Sequence, residues 1–292
     1  MKKISDRPRL YVIGYPVSHS VSPEIFNEAF RDTGMEVEYR ALPISPGDLS
    51  HEVARLIAEG ALGFNVTLPH KRAIIPLLDI VDHMASEVGA VNVVAVDEKT
   101  ARGYNTDIFG FESSLDYLGV SDISGGSALL LGSGGAARAA AISLARMGAG
   151  RIIIANRTLS KATELARTLE GLYPETELLA VDIRSELLKS SVGDLAICVQ
   201  ATSLGLSGDD PLPMDPSTLP GGCFVYDLVY GKDETAFVRR AREAGLVSVD
   251  GREMLIRQAA GAFEIWFGMP GPLEAMRRGL ERALGCGNLL TR

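Results

Sequence analysis

Cysteine is scarce in this chain of 292 residues, and the three present, Cys198, Cys223 and Cys286, are odd in number for a disulfide framework. Their scatter gives no zinc spacing, so no metal centre is expected, and Cys198, set in an apolar stretch, reads as core. Positive charge is also short. Lysine and arginine number 29 against 37 acidic residues, and the net charge of −8 argues against nucleic acid or an acidic membrane as a partner. No uncharged apolar run reaches bilayer length. Lys2 and Lys3 stand near the N-terminus, but Ile4-Ser5-Asp6-Arg7-Pro8 makes no signal-peptide core. The expectation is a soluble, cytoplasmic protein without internal repeats or low-complexity segments.

What the chain holds in quantity is glycine, 31 residues, within a hydrophobic content of 46%, as in α/β proteins with many tight turns. Its length suits two domains with separate cores. Ser127-Ala128-Leu129-Leu130-Leu131 reads as a short buried strand that runs into Gly132-Ser133-Gly134-Gly135-Ala136-Ala137-Arg138. An alanine-rich helix follows to about Met147, and Arg151-Ile152-Ile153-Ile154-Ala155 completes a βαβ unit. That is the pattern of a dinucleotide site, in which N–H groups at a helix N-terminus hold a pyrophosphate. More than a hundred residues precede the loop, so a separate domain, expected to hold the substrate, lies ahead of it.

The turn after the second strand bears on the cofactor. A site that prefers NAD usually carries Asp or Glu there, bonded to the ribose hydroxyls. Here stand Asn156, Arg157 and Thr158, with Lys161 one turn on. A guanidinium suits a 2′-phosphate, because it is always charged and binds two oxygens at once. The same residues also read as a plain helix start, with Thr158 as N-cap and Arg157 in solvent. The two readings are compatible, and NADP is the expected cofactor.

In the first part, residues 10–14, 37–42 and 63–67 read as strands, and 24–30 and 49–59 as helices, the latter with Val53, Leu56 and Ile57 on one face. Residues 72–78 begin a helix interrupted at Pro76, 91–96 and 101–105 form a hairpin, and a helix over 108–118 leads onward. This alternation predicts a mostly parallel sheet. Further along, strands are expected at 178–181, 194–200, 224–229 and 247–249, with helices between them and an exposed loop at 208–222. Two closing helices, 254–267 and 272–284, are expected to return to the first domain.

Four polar clusters mark the first domain. In Ser20-Val21-Ser22-Pro23, Pro23 fits the first helical position with Ser22 as N-cap, and the same hydroxyls at a helix start suit a small carboxylate. In Asn65-Val66-Thr67-Leu68-Pro69-His70-Lys71, strand alternation sets Asn65 and Thr67 on one face, and Lys71 follows on a turn. Gly89-Ala90-Val91-Asn92 and Gly103-Tyr104-Asn105-Thr106-Asp107 repeat glycine followed by amide or acid. Singly such pairs mark turns, but four in one domain are hard to explain that way.

Together with Ala201-Thr202-Ser203-Leu204-Gly205, Asp227-Leu228-Val229-Tyr230 and 251–258, these motifs closely resemble the shikimate dehydrogenase family over about residues 10–276. The resemblance implies an α/β fold of two domains. An α/β substrate domain would span residues 1–106, joined by C-terminal helices 251–292, and a Rossmann-type NADP-binding domain with a mostly parallel sheet would span 107–250. It also implies reversible NADP-dependent reduction of 3-dehydroshikimate to shikimate, with Lys71 and Asp107 as catalytic pair. Ser20 and Ser22 would hold the substrate carboxylate. Asn65, Thr67, Asn92, Asp107 and Gln258 would hold ring hydroxyls, with Tyr230 nearby. Gly132, Ser133, Gly134, Gly135, Ala136, Asn156, Arg157, Thr158, Lys161, Thr202, Leu228 and Gly251 would line the cofactor.

Hydride delivery to a ketone leaves an alkoxide, so the site needs a proton donor beside that oxygen. A lysine ammonium serves, and a neighbouring carboxylate favours a charged lysine. Plainer readings make Lys71 an exposed residue opening a helix and Asp107 an N-cap. The chain departs from the family pattern at Val93, where threonine is usual, and at Lys232 and Ala236, usual proline positions whose change is expected to loosen a loop near the cofactor. Ser133 replaces an alanine. A relative acting on quinate or an amino-substituted analogue is the alternative enzyme, and a homodimer is a candidate assembly. A cofactor-binding regulator would be marked by loss of Lys71 or Asp107, and both are present.

Overall fold

The computed structural model of the chain describes residues 8–120, 122–206 and 210–285, so Lys2, Lys3, Cys286 and the start of the 208–222 loop lie outside the described residues. Two compact units divide it, one of Met1–Gly110 with Ile256–Arg292, the other of Phe111–Leu255. The chain begins with β1 (Arg9–Gly14), α1 (Ser22–Thr33), β2 (Glu38–Pro43), α2 (Leu49–Ala58), β3 (Gly63–Val66), β4 (Ile80–Val81), α3 (His83–Val88), β5 (Val93–Asp97), β6 (Thr100–Tyr104) and α4 (Asp107–Tyr117). Their sheet has the order β2-β1-β3-β5-β6-β4. It is mixed: β1 runs parallel to β2 and β3, while β3–β5 and β5–β6 are antiparallel. The β5–β6 hairpin turns on Glu98 and Lys99, both at positive φ, the backbone that a two-residue hairpin loop requires.

Leu49, Val53 and Leu56 recur at helical spacing, and all three are buried against Ile13, Phe64, Val66 and Val94 of the sheet. The helix expected over 72–78 does not form. A 3₁₀ turn, Ile75–Leu77, stands there, because Pro76 has no N–H to give and Pro69 bounds the segment on the other side. The helix start expected at Pro23 also differs. Ile25 N–H bonds the carbonyl of Val21, so Val21 holds the cap position and Ser22 is already helical.

The second unit runs β7 (Ser127–Leu131), α5 (Gly135–Arg146), β8 (Arg151–Asn156), α6 (Leu159–Leu172), β9 (Glu177–Asp182), α7 (Glu186–Ser191), β10 (Ile197–Gln200), β11 (Phe224–Asp227), α8 (Ala236–Glu243) and β12 (Ser248–Val249). All its strand pairs are parallel, in the order β9-β8-β7-β10-β11-β12. This is a doubly wound sheet whose order reverses between β7 and β10, the place where such sheets bind dinucleotides. The middle strands are buried on both faces, Cys198 among them, which explains their continuous apolar runs.

Two helices close the chain, α9 (Arg252–Phe267) and α10 (Leu273–Leu284). Trp266 of α9 donates its indole N–H to the Val94 carbonyl at 3.0 Å. Gly279 of α10 lets that helix lie on α1, since a Cβ there would come within 2.6 Å of the Glu24 carbonyl. The division between units falls inside α4 and inside α9, so each crossing is made by a helix.

Candidate active site

Lys71 enters from the turn after β3, and Asp107 opens α4. Lys71 Nζ donates to Asp107 Oδ2 at 2.6 Å, with the lysine side chain 19% exposed and the aspartate 4%. Asp107 is not the helix cap. The carbonyl of Thr106 takes the first helical bond, from Gly110 N–H, and the Asp107 carboxylate turns to Lys71 instead. Its second oxygen accepts from Asn92 Nδ2 at 2.8 Å. The orientation of Asn92 is fixed, because its Oδ1 must face Thr106 N–H, a pure donor, at 2.8 Å. Its amide hydrogens therefore point to Asp107, to Thr106 Oγ1 at 3.1 Å and towards Gln258 Oε1 at 3.5 Å. Asn105 supports the turn from below, donating to the Ala90 carbonyl and accepting from Asp107 N–H. His70, beside Lys71, is buried and bonds the Ile44 carbonyl at 2.7 Å through Nε2, which must carry the proton because a carbonyl can only accept.

Ser20 and Ser22 lie together at the start of α1. Ser20 Oγ donates to Ser22 Oγ at 3.2 Å and accepts from Ser22 N–H at 3.3 Å. Tyr39, fully buried on β2, joins this pair to Asn65: it shares a hydrogen bond with Ser22, and its hydroxyl donates to Asn65 Oδ1 at 2.5 Å. Burial raises the Tyr39 pKa well above the phenol range, against the bond from Ser22, which keeps it a neutral donor. Asn65 Nδ2 donates to the Asn92 carbonyl at 3.2 Å, so its amide too has one orientation. Thr67, half-buried, follows on the same strand face. The serines, Asn65, Asn92, Lys71, Asp107 and Gln258 thus belong to one unit, and the bonds above join them in two clusters meeting at Asn92. Tyr230 belongs to the other unit; it is half-buried, and burial raises its hydroxyl pKa. Tyr39 and Thr106 escape sequence reasoning, since a tyrosine inside a strand and a threonine before a helix look like core and cap.

The residues expected to line the cofactor lie at the C-terminal ends of β7, β8, β10, β11 and β12 in the second sheet. Gly132 follows β7 at φ 112°, and a Cβ there would lie 2.9 Å from the Ala201 carbonyl, so only glycine fits. Gly134 caps α5 with no side-chain bond, which leaves first-turn N–H groups at Gly135 and Ala136 for an anion. Thr158 does hold the N-cap position of α6, yet its hydroxyl makes no cap bond. Asn156 shapes this turn by donating to the Thr158 carbonyl at 2.9 Å. Arg157 and Lys161 are exposed and pair with none of the described residues. A glycine-lined helix start beside two unpaired cations fits the pyrophosphate and 2′-phosphate of NADP. Gly251 packs on Leu228, whose carbonyl would lie 2.3 Å from any Cβ. Ala236, at the family's proline position, is the first residue of α8 behind Thr235 as N-cap, so it stands in a helix rather than in a loop. No group of three or more potential metal ligands, and no helix long and apolar enough to cross a membrane, occurs among the described residues.

One unit thus has the doubly wound sheet and glycine-lined helix start that suit a dinucleotide, and the other carries a lysine–aspartate ion pair beside a cluster of hydrogen-bonding side chains. That combination defines a dinucleotide-dependent oxidoreductase. Residues 12–94 match the shikimate dehydrogenase substrate binding domain, 117–203 match shikimate / quinate 5-dehydrogenase, and 251–281 match the shikimate 5′-dehydrogenase C-terminal domain. A shikimate dehydrogenase (NADP(+)) of Moorella thermoacetica is 41% identical over 278 residues, covering 95% of this chain and 94% of that one. The crystal structure of shikimate dehydrogenase from Aquifex aeolicus is 36% identical with TM-score 0.86, covering 96% and 99% of the two chains. Shikimate 5-dehydrogenase from Thermus thermophilus, solved with NADP(H) and shikimate, is 32% identical with TM-score 0.84, covering 95% and 100%. The chain belongs to the shikimate dehydrogenase family.

Proposed function

We propose that this chain catalyses the reversible, NADP-dependent reduction of 3-dehydroshikimate to shikimate, a step of chorismate and aromatic amino acid biosynthesis. The observation that carries this reading is the bond of 2.6 Å between Lys71 and Asp107. Bound NADPH supplies the hydride that reduces the keto carbon. The Lys71 ammonium gives its proton to the oxygen of that carbon as the C–H bond forms, and takes it back in the oxidation. Asp107 holds Lys71 in place and accepts a hydrogen bond from a neighbouring ring hydroxyl, while Asn92 fixes the aspartate. Ser20 and Ser22 take the carboxylate. Asn65, Thr67 and Gln258 address the ring oxygens, and the family resemblance adds Tyr230 to the substrate residues. The glycine loop with Ser133 and Ala136 holds the pyrophosphate, Asn156, Arg157, Thr158 and Lys161 hold the 2′-phosphate end, and Thr202, Leu228 and Gly251 line the rest.

A spectrophotometric assay of NADP reduction tests the reading, first with shikimate and then with quinate. Turnover with shikimate is expected. Activity on quinate alone would move the substrate assignment and keep the reaction class, and inactivity on both would leave the chain a binder of NADP.

A further inference from the structure

A buried carboxylate takes no part in the chemistry above. Asp227, the last residue of β11, has 0% exposure, as does its register partner Gln200, the last residue of β10. Asp227 Oδ1 accepts from Val229 N–H at 3.0 Å and from Gln200 Nε2 at 3.2 Å, and Oδ2 accepts the Thr235 hydroxyl at 2.6 Å. Gln200 Nε2 also donates to the Leu204 carbonyl at 2.8 Å, and its Oε1 accepts from Thr202 N–H at 2.5 Å. These two partners allow one amide orientation only. Thr235 Oγ1 in turn accepts from Val238 N–H and caps α8. One carboxylate and one amide therefore hold three turns at the ends of adjacent strands, where an apolar pair would orphan buried donors.

Two of these turns carry residues assigned to the cofactor. Thr202 follows Ala201, and the backbone of both lies against Gly132, within 2.9 and 3.2 Å of where a Cβ would stand. Leu228 sits between Asp227 and Val229, and its carbonyl backs Gly251. We propose that Asp227, acting through Gln200, is a positioning residue for NADP: it fixes the backbone at Thr202 and Leu228, and with it the floor beneath Gly132, without touching the cofactor. The inference rests on the reading that these turns bind NADP.

Two variants test it. Asp227→Asn keeps the shape and loses an acceptor, and Gln200→Met keeps the length and loses the amide. The readouts are the NADP dissociation constant by titration of the free protein, the KM for NADP and for shikimate, and the melting temperature. Each variant is expected to weaken NADP by roughly tenfold or more, the worth of a hydrogen bond to a charged group, with the shikimate KM unchanged at saturating NADP. A folded Asp227→Asn protein with wild-type NADP affinity overturns the proposal, as does a parallel rise in both KM values tracking a lower melting temperature. If Asp227→Asn does not fold, unchanged NADP affinity in Gln200→Met overturns it. Failure of the wild type to turn over shikimate counts against the substrate reading instead, and leaves the NADP titration decisive.

Discussion

Lys71 and Asp107, 36 residues apart in sequence, meet at 2.6 Å with little access to water. Taking two charges out of solvent is costly, and a hydrophobic pair of the same volume is often as stable. On the aspartate side, the bond from Asn92 and the place of Asp107 in the first turn of α4 offset part of that cost. A pair kept under those terms points to chemistry rather than stability.

Lys71→Ala is expected to lower kcat by about 10²–10⁴-fold, the usual range for removing a general acid, while shikimate still binds. Asp107→Asn should lower kcat as well, since Lys71 loses its anchor. Steady-state kinetics with both substrates decide, and an unchanged kcat in Lys71→Ala would make the lysine a bystander.

Arg157→Ala should weaken NADP by roughly 10–100-fold and leave NAD nearly untouched, because only NADP has the 2′-phosphate. The side chain is exposed and pairs with none of the described residues, so its loss disturbs no protein contact. Titration with each cofactor checks this. Equal weakening of both would assign Arg157 to structure.

Gly251→Ala sets a Cβ 2.3 Å from the Leu228 carbonyl oxygen, a backbone atom that cannot swing aside. A loss of about 1–3 kcal/mol is expected, as for other overpacked sites. Gly171→Ala, on α6 with nothing within 4 Å, should gain up to about 1 kcal/mol from helix propensity. Chemical unfolding of the two variants should move in opposite directions.

Asp227 has its carboxyl pKa pushed from 3.8 up to about 6, by burial first and against the bonds from Thr235, Val229 and Gln200, with the charge of Asp250 adding to the rise. Cys198 also faces it and is itself raised by burial. A raised carboxyl holds its proton in the folded state where the unfolded chain has lost it. Stability from this group is therefore greatest below about pH 4 and falls by roughly 1.4 kcal/mol per pH unit until about pH 6. The stability of wild type relative to Asp227→Asn should fall over that interval and level off above it. A constant difference from acid to neutral pH would remove the assignment.

Shikimate should be used more efficiently than quinate, by roughly 10²-fold, the modest discrimination available against one added hydroxyl. Val93 is buried directly across from Asn65 in the β3–β5 pair. Val93→Thr would put a hydroxyl beside that amide and is expected to lower the shikimate KM. Comparing kcat/KM for both substrates in both proteins checks this, and a quinate preference in the wild type would reverse the substrate assignment.

The doubly wound unit was the most legible part of the sequence. Leu129–Leu131 before the glycines and Ile152–Ile154 after them form continuous apolar runs, which only strands buried on both faces require. Short elements were harder. α3 has six residues, too few for periodicity, and its signals are only the Asp82 cap and Gly89 in the left-handed region. Pro76 turned an expected helix into a 3₁₀ turn, and the strand expected from Asp194 starts only at Ile197. Within the site, residue types could be read but partners could not. No local pattern joins Lys71 to Asp107 or Tyr39 to Asn65, because those distances are set by sheet register. Gln200 was visible only as the polar ending of an apolar strand, and Asp227 as the first residue of a motif, with nothing in the sequence to pair them.

Ser20 gives its hydroxyl hydrogen to Ser22. A carboxylate that claims this hydrogen exchanges one bond for another, so its gain is only the difference between a charge-assisted bond and a neutral one. An ester or an amide brings a neutral acceptor and no such difference. If the serine pair takes the substrate carboxylate, as proposed, it weighs charge rather than shape, and a ligand whose acid has been masked forfeits that advantage there.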